Sequence, residues 1–280
     1  MPVSKKNRKE PLVIALSNQR GGVGKTSTTI NLGAAFAMQG KNVLVMDMDQ
    51  QGSLTTALGG DPDNLDITIL DVIMTKTGKP EGPATELRDI IVHRWETGGG
   101  KLDYTPANMK MARIDIKLFS FPGWDRLVRF AIEDLEDYDV VLLDCPPNLG
   151  ITTNMCLAAA NLVLIPIKSD ILSMKGSTYL YETIEGVRRV NRGIIAKALL
   201  NEFDERKVMS RNIQEQTKEF WGVDLLSTSI AKNEAINRAQ GMAMHIFEFD
   251  PSSKGAKDYA ALALEIQSLM DGKGKKRAVG

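Results

Sequence analysis

Two kinds of residue stand where chemistry on a charged substrate would need them: a lysine behind closely spaced glycines, and aspartates at the ends of apolar runs. The first lies in Asn18-Gln19-Arg20-Gly21-Gly22-Val23-Gly24-Lys25-Thr26-Ser27. Glycines let backbone N–H groups turn inward on an anion, and a helix that follows adds the positive end of its dipole. Lys25 would reach β- and γ-phosphates, and the Thr26 hydroxyl would ligate Mg²⁺. The second kind opens Asp47-Met48-Asp49-Gln50-Gln51-Gly52. Residues two apart in a strand share a face, so Asp47 and Asp49 can both point toward the loop, beside a cation and a lytic water. Asp144 closes the run Val140-Val141-Leu142-Leu143. A carboxylate fixed there, at a sheet edge, would sit near Mg²⁺.

These residues need strands and helices to hold them. Leu12 to Leu16 reads as a buried strand ahead of the loop. Thr28 to Gln39 carries Ile30, Leu32, Ala34, Ala35, Ala37 and Met38 at helical spacing, and Gly40 is placed to end that helix. Asn42 to Met46 is a second buried strand. Short helices are expected over Asp66 to Met74 and Thr85 to Arg94, with glycine loops at Gly78 to Pro83 and Gly98 to Gly100. His93 has a surface or packing role in this reading. Lys101 to Thr105 reads as a strand and Gly123 to Leu135 as an amphipathic helix. Beyond Asp144, strands at Leu162 to Ile167, Ala196 to Leu200 and Leu225 to Ile230 alternate with helices. Those helices are Ser173 to Val190, Arg211 to Phe220 and Lys254 to Met270. Near-continuous apolar strands alternating with helices imply an α/β fold, a doubly wound and mostly parallel sheet flanked by helices. The expected division is a flexible basic leader over 1–11, a single domain built around the phosphate loop over 12–271 and a flexible basic tail over 272–280.

Composition narrows the classes of function. The 280 residues are 43% hydrophobic and 25% charged, which suits a globular protein with a substantial core. Thirty-five basic residues balance 35 acidic ones, so a nucleic-acid partner would have to be met by a local patch. Cys145 and Cys156 make neither a disulfide framework nor a metal-ligand set, and they fit a reducing cytosol. No apolar stretch is long enough to span a bilayer, and the basic N-terminus lacks an apolar signal core.

The loop departs from the usual phosphate-loop pattern, which has a glycine where Gln19 stands. What remains, Arg-Gly-Gly-Val-Gly-Lys-Thr, resembles the deviant Walker A loop of the ParA/MinD family of ATPases. Arg20 takes the place of that family's signature lysine. The Asp-x-Asp segment resembles the family's second motif, with Gln50 in place of proline. Asp-Cys-Pro-Pro-Asn-Leu-Gly from Asp144 resembles its third, with prolines suited to a switch loop that senses the γ-phosphate. Phe247 to Ala256 looks like the Tyr-Asp-Pro-x-Ser-Lys-Gly-Ala signature of the ParA-type partition ATPases. The resemblance runs from about Leu12 to about Met270.

The resemblance implies ATP and Mg²⁺ as cofactors, with nucleotide held by Arg20, Gly21, Gly22, Val23, Gly24, Lys25, Thr26 and Ser27. Asn201 and Asn233 match positions near the adenine. Thr26, Asp49 and Asp144 would serve the metal. Asp49, Lys25 and Arg20 would carry catalysis, with Asp49 positioning the water and Arg20 reaching the partner protomer's nucleotide. It further implies an ATP-dependent homodimer that binds DNA without sequence preference. A ParB-type adaptor would stimulate slow hydrolysis so that plasmid, chromosome or other cargo is segregated. The candidate DNA-binding residues are Arg206, Lys207, Arg211, Lys232 and Arg238; the family's arginine in the later segment aligns with Ala235, so Lys232 or Arg238 would have to compensate. A cytoplasmic, nucleoid-associated protein is expected, with no stable membrane association and no site-specific helix-turn-helix domain. Three other readings stay in view: a MinD-like membrane-cycling positioning ATPase, an iron–sulfur electron donor, and a nucleotide-gated scaffold or repressor with negligible turnover.

Overall fold

The computed structural model describes residues 10–168, 170–204 and 208–277. The strands are β1 (Leu12–Leu16), β2 (Asn42–Asp47), β3 (Val92–Thr97), β4 (Gly100–Thr105), β5 (Val140–Asp144), β6 (Leu162–Ile167) and β7 (Ile195–Leu200). They form one seven-stranded sheet in the order β3-β4-β2-β5-β1-β6-β7. All neighbours run parallel except β3 and β4. The expected doubly wound, mostly parallel sheet is therefore the observed one.

Alternation along each strand divides its side chains between two cores. Val13, Ala15, Leu44, Met46, Val141 and Leu143 face one core. It is closed by α3 (Ile69–Lys76), α5 (Leu127–Glu133), α6 (Ile151–Ala159) and α7 (Ile171–Val187). Ile14, Leu16, Val43, Val45 and Leu142 face the other, closed by α1 (Lys25–Met38) and α11 (Lys254–Arg277). On α11, Tyr259, Leu262 and Ile266 are wholly buried, and Leu262 and Ile266 each contribute about 1.5–3 kcal/mol by removal from water. This helix lies on α1 and the sheet, as its mixed apolar and acidic sequence implies, and it continues past Met270 to Arg277. The remaining helices are α2 (Ser53–Ala57), α4 (Ile114–Leu118), α8 (Val208–Trp221), α9 (Glu234–Gly241) and α10 (Ile246–Phe249).

Two expected elements differ. Thr85 to Arg94 is not a helix: Leu87–Ile90 makes a single 3₁₀ turn and Val92 begins β3. Gly98 and Gly99 turn the chain so that Val92 to Thr97 pairs antiparallel with β4, and ladder hydrogen bonds override the local helical spacing. His93 then reaches Asp103 across the pair at 2.7 Å. Leu225 to Ile230 is not a strand: it meets β7 and its exit through separate backbone bonds, an isolated bridge from Leu225 to Ala198 and bonds of Ile230 with Leu200 and Phe203. The amides of Ser227 and Thr228 instead donate to the Glu265 carboxylate of α11, at 2.7 and 2.8 Å, and are lost to any ladder.

Strand order is what assembles the site. β2, β5 and β1 are neighbours, with Leu16 opposite Asp144 and Asp47 opposite Asp144. The three chemistry-bearing segments thus leave the same carboxyl edge side by side, where open α/β sheets bind ligands.

Candidate functional site

The glycine loop is held open by its neighbours. Asn18 is fully buried and ties the loop to β6 by donating from Nδ2 to the Pro166 carbonyl at 2.8 Å. Its Oδ1 accepts from the Arg20 amide at 2.9 Å. Asn201, at the end of β7, donates from Nδ2 to the Val23 carbonyl at 2.7 Å. Gly24 has φ +85°, and a Cβ there would lie 2.2 Å from Asn201 Nδ2, so conformation and space both require glycine. Helix α1 begins at the next residue and aims its N-terminus at the loop.

Lys25 is buried, and its Nζ is held by the carbonyls of Asn18 and Arg20 at 3.2 and 3.3 Å. Burial lowers its pKa, against the raising effect of Asp144. A cation kept dry beside carbonyls, with open space over Gly21 and Gly22, suits an anionic ligand. Behind it, Thr26 Oγ1 donates to Asp144 Oδ2 at 2.7 Å, and Thr29 Oγ1 to Oδ1 at 3.3 Å. Burial pushes the Asp144 carboxyl up to about 7; nearby Asp47 adds to this, while the Thr26 bond and Lys25 oppose it. A divalent cation would relieve that penalty. Hydroxyl and carboxylate oxygens are the ligands such an ion takes, and among the described residues no three of His, Cys, Asp and Glu gather as a metal cluster. Mg²⁺ is held in that manner, by one or two protein oxygens together with water and substrate phosphates.

Asp49 follows β2 on a turn in which its Oδ1 accepts the Gln51 amide at 3.1 Å. Asp47, in contrast, bonds to its own segment and not to the loop: its carboxylate accepts from Asp49 and Thr55. Arg20 is exposed, and its guanidinium makes no hydrogen bond or ion pair among the described residues. Helix α7 approaches closely beneath it, and a Cβ on Gly176 would lie 2.8 Å from Asn18 Oδ1 and 3.3 Å from the Arg20 amide.

Beside the loop, Ser27, Asn201, Lys232, Asn233, Asn237 and Tyr259 line a small cleft. The two asparagines matched to the adenine therefore share one cleft, although Asn233 also caps α9 by accepting the Ala235 amide at 2.9 Å. Lys232 and Arg238 are exposed at the start and end of α9, and the Arg238 guanidinium lies 5.3 Å from the Phe249 ring centre. The Lys232 amide donates to the Phe203 carbonyl at 3.0 Å, and Arg211 on α8 is also exposed. Arg206 and Lys207 lie outside the described residues. Cys145 and Cys156 are buried against each other, and their contact and burial push the Cys145 thiol up. Buried thiols of this kind are poorly placed to hold a cluster between protomers.

Sequence reasoning missed Asn18, Thr29, Thr55 and Gln240, whose Oε1 accepts from Ser27 Oγ at 2.6 Å. Asn18 and Thr29 had a signal in their nearness to the glycines. Thr55 and Gln240 act across the fold and had none.

Comparison with known proteins agrees with this geometry. The profile of the AAA domain family matches residues 12–196. The sporulation initiation inhibitor protein Soj of Bacillus subtilis is 31% identical over 257 residues, covering 91% of this chain and 97% of that protein. The chromosome partitioning protein ParA of Myxococcus xanthus is 30% identical over 270 residues, covering 95% and 92%. Cobyrinic acid a,c-diamide synthase from Mycobacterium smegmatis, crystallised with bound ADP and magnesium, superposes with a TM-score of 0.76 at 30% identity, covering 90% of this chain and 92% of that one.

Proposed function

From the premise that this chain belongs to the ParA/Soj family of P-loop ATPases, we propose that it is an ATP-driven partition protein. It closes into a dimer around ATP and Mg²⁺, binds DNA without sequence preference, and is released when a ParB-type adaptor stimulates hydrolysis. The observation that carries this reading is Arg20, exposed and with no side-chain partner among the described residues, beside the phosphate cradle. Lys25 already serves the cradle from within, so a second cation on the rim is free for the nucleotide of a facing protomer.

In this mechanism backbone amides of Gly21 to Lys25 and the Lys25 ammonium bind the polyphosphate. Thr26 and Asp144 would supply oxygens for Mg²⁺, whose charge would offset that of the phosphates. Asp49 orients the attacking water. Asn201 and Asn233 face the nucleoside. No helix among the described residues is long and apolar enough to cross a membrane, and α11 buries its apolar face in the core. That favours DNA over a lipid surface as the matrix on which the protein moves.

Phosphate release with DNA and a candidate adaptor tests the proposal. Wild type should turn over slowly alone and faster with both. Asp49→Ala should bind ATP with near-normal affinity and lose turnover by about a hundredfold, because positioning is most of what such a site contributes. Equal turnover in Asp49→Ala would remove that residue from the mechanism.

A further inference from the structure

The Asp47 carboxylate is wholly buried on the strand beside Asp144, yet its bonds among the described residues all go to its own segment. Oδ1 accepts the Asp49 amide at 3.2 Å. Oδ2 accepts the Thr55 amide at 2.8 Å and the Thr55 hydroxyl at 2.7 Å. One side chain thus ties both ends of the turn that carries Asp49. The Thr55 hydroxyl, also wholly buried, extends the chain of bonds by accepting the Ala107 amide at 3.0 Å. Ala107 lies in the loop that leaves β4, and the neighbouring Pro106 carbonyl accepts the Ile69 amide at the start of α3.

We propose that Asp47 and Thr55 are positioning residues, a latch from β2 through α2 to the exit of β4 that fixes the turn bearing Asp49 for hydrolysis. The inference rests on the role given to Asp49 above. Both hydrogen-bonding capacities of the Thr55 hydroxyl are used, one as donor and one as acceptor, which sets its rotamer and the spacing of the segments it joins. The latch does not touch the phosphate loop, so it acts on water placement and leaves nucleotide binding alone. Additional bonds bear on the same turn: the Met48 amide donates to the Asp144 carbonyl at 3.1 Å, and the Gly52 amide to the Asp49 carbonyl at 3.0 Å. Thr55 lies within α2 (Ser53–Ala57), the helix into which the turn runs, so its bond to Asp47 fixes the far side of the turn.

The test compares wild type, Thr55→Val, Thr55→Ser and Asp49→Ala in steady-state ATP turnover and in binding of a fluorescent, slowly hydrolysed ATP analogue. Valine keeps the shape of threonine and removes the hydroxyl, while serine restores it. Thr55→Val should lose about tenfold or more in kcat, approaching Asp49→Ala, with KM and analogue affinity within about threefold of wild type. Thr55→Ser should stay within about threefold of wild type in kcat, with the same affinity. Wild-type kcat in a folded Thr55→Val protein would overturn the proposal, as would a parallel loss of affinity and turnover. Should thermal melts show Thr55→Val unfolded, Asp47→Asn carries the same two outcomes. Failure of the parent reading looks different: wild type and Asp49→Ala would turn over ATP alike, which would overturn the latch with it.

Discussion

Two buried side chains show how surroundings decide whether a charge is kept. Lys25 sits beside two carbonyl oxygens and near the Asp144 carboxylate, and an anionic ligand would complete the compensation that its burial demands. His245 has weaker compensation, a Glu248 carboxylate oxygen 3.3 Å from its Nε2. It is wholly buried at the N-terminus of α10, its Nδ1 accepts the Glu248 amide at 3.2 Å, and its ring meets Trp95 edge-on with centroids 4.3 Å apart. Burial holds its pKa down to about 4, with Glu248 raising and Arg94 lowering it further. Between the unfolded value near 6.5 and the folded value, the unfolded chain binds the extra proton. Stability from this residue is therefore complete above about pH 6.5 and is lost as pH falls toward 4, by about 3 kcal/mol in all. Urea unfolding at several pH values in that window should show the slope, and His245→Asn, which keeps a capping oxygen, should flatten it. An unchanged slope in the variant would assign the pH dependence to other groups.

Of the two helices that carry the proposed DNA contact, α8 was legible in the sequence and α9 was not. Lys232, Arg238 and Arg211 lie on or beside α9 and α8. Binding dominated by phosphates weakens with salt by about 0.9 log units in affinity per log unit of salt for each phosphate neutralised. Removing Lys232 or Arg238 should thus lower the salt slope of the ATP-bound protein by about two, one from each protomer. Fluorescence anisotropy with two unrelated duplexes checks this, and an unchanged slope would move the contact elsewhere. Helix α9 escaped the sequence because Glu234, Asn237, Arg238 and Gln240 leave little apolar periodicity. β3 escaped because its partner, not its spacing, makes it a strand. By contrast β1, β2, β5 and β6 were plain as buried apolar runs, Asp144 was legible because it ends one of them, and Lys25 and Thr26 because they close the glycine loop that follows another. Thr55 was not legible, since its meaning depends on Ala107 arriving from a distant part of the chain.

At the scale of the whole molecule, a chain with no net charge offers little field to draw DNA, so affinity must come from placing two basic patches on one surface. In the proposed mechanism, dimerisation around nucleotide would do this and would make DNA binding a consequence of ATP binding, with Arg20 where the two events meet. Guanidinium is planar and always charged and can grip two phosphate oxygens, whereas ammonium is a compact point charge. An arginine supplied across an interface can speed phosphoryl transfer by roughly 10³–10⁵. Slow basal turnover would mean that Arg20 reaches that position only when the adaptor is bound. The most direct test of this account is the mass of the protein by light scattering, with and without a slowly hydrolysed ATP analogue. Wild type and Arg20→Lys should double in mass with the analogue, while Arg20→Ala should bind the analogue and remain monomeric. An Arg20→Ala protein that doubles in mass like wild type would contradict the account.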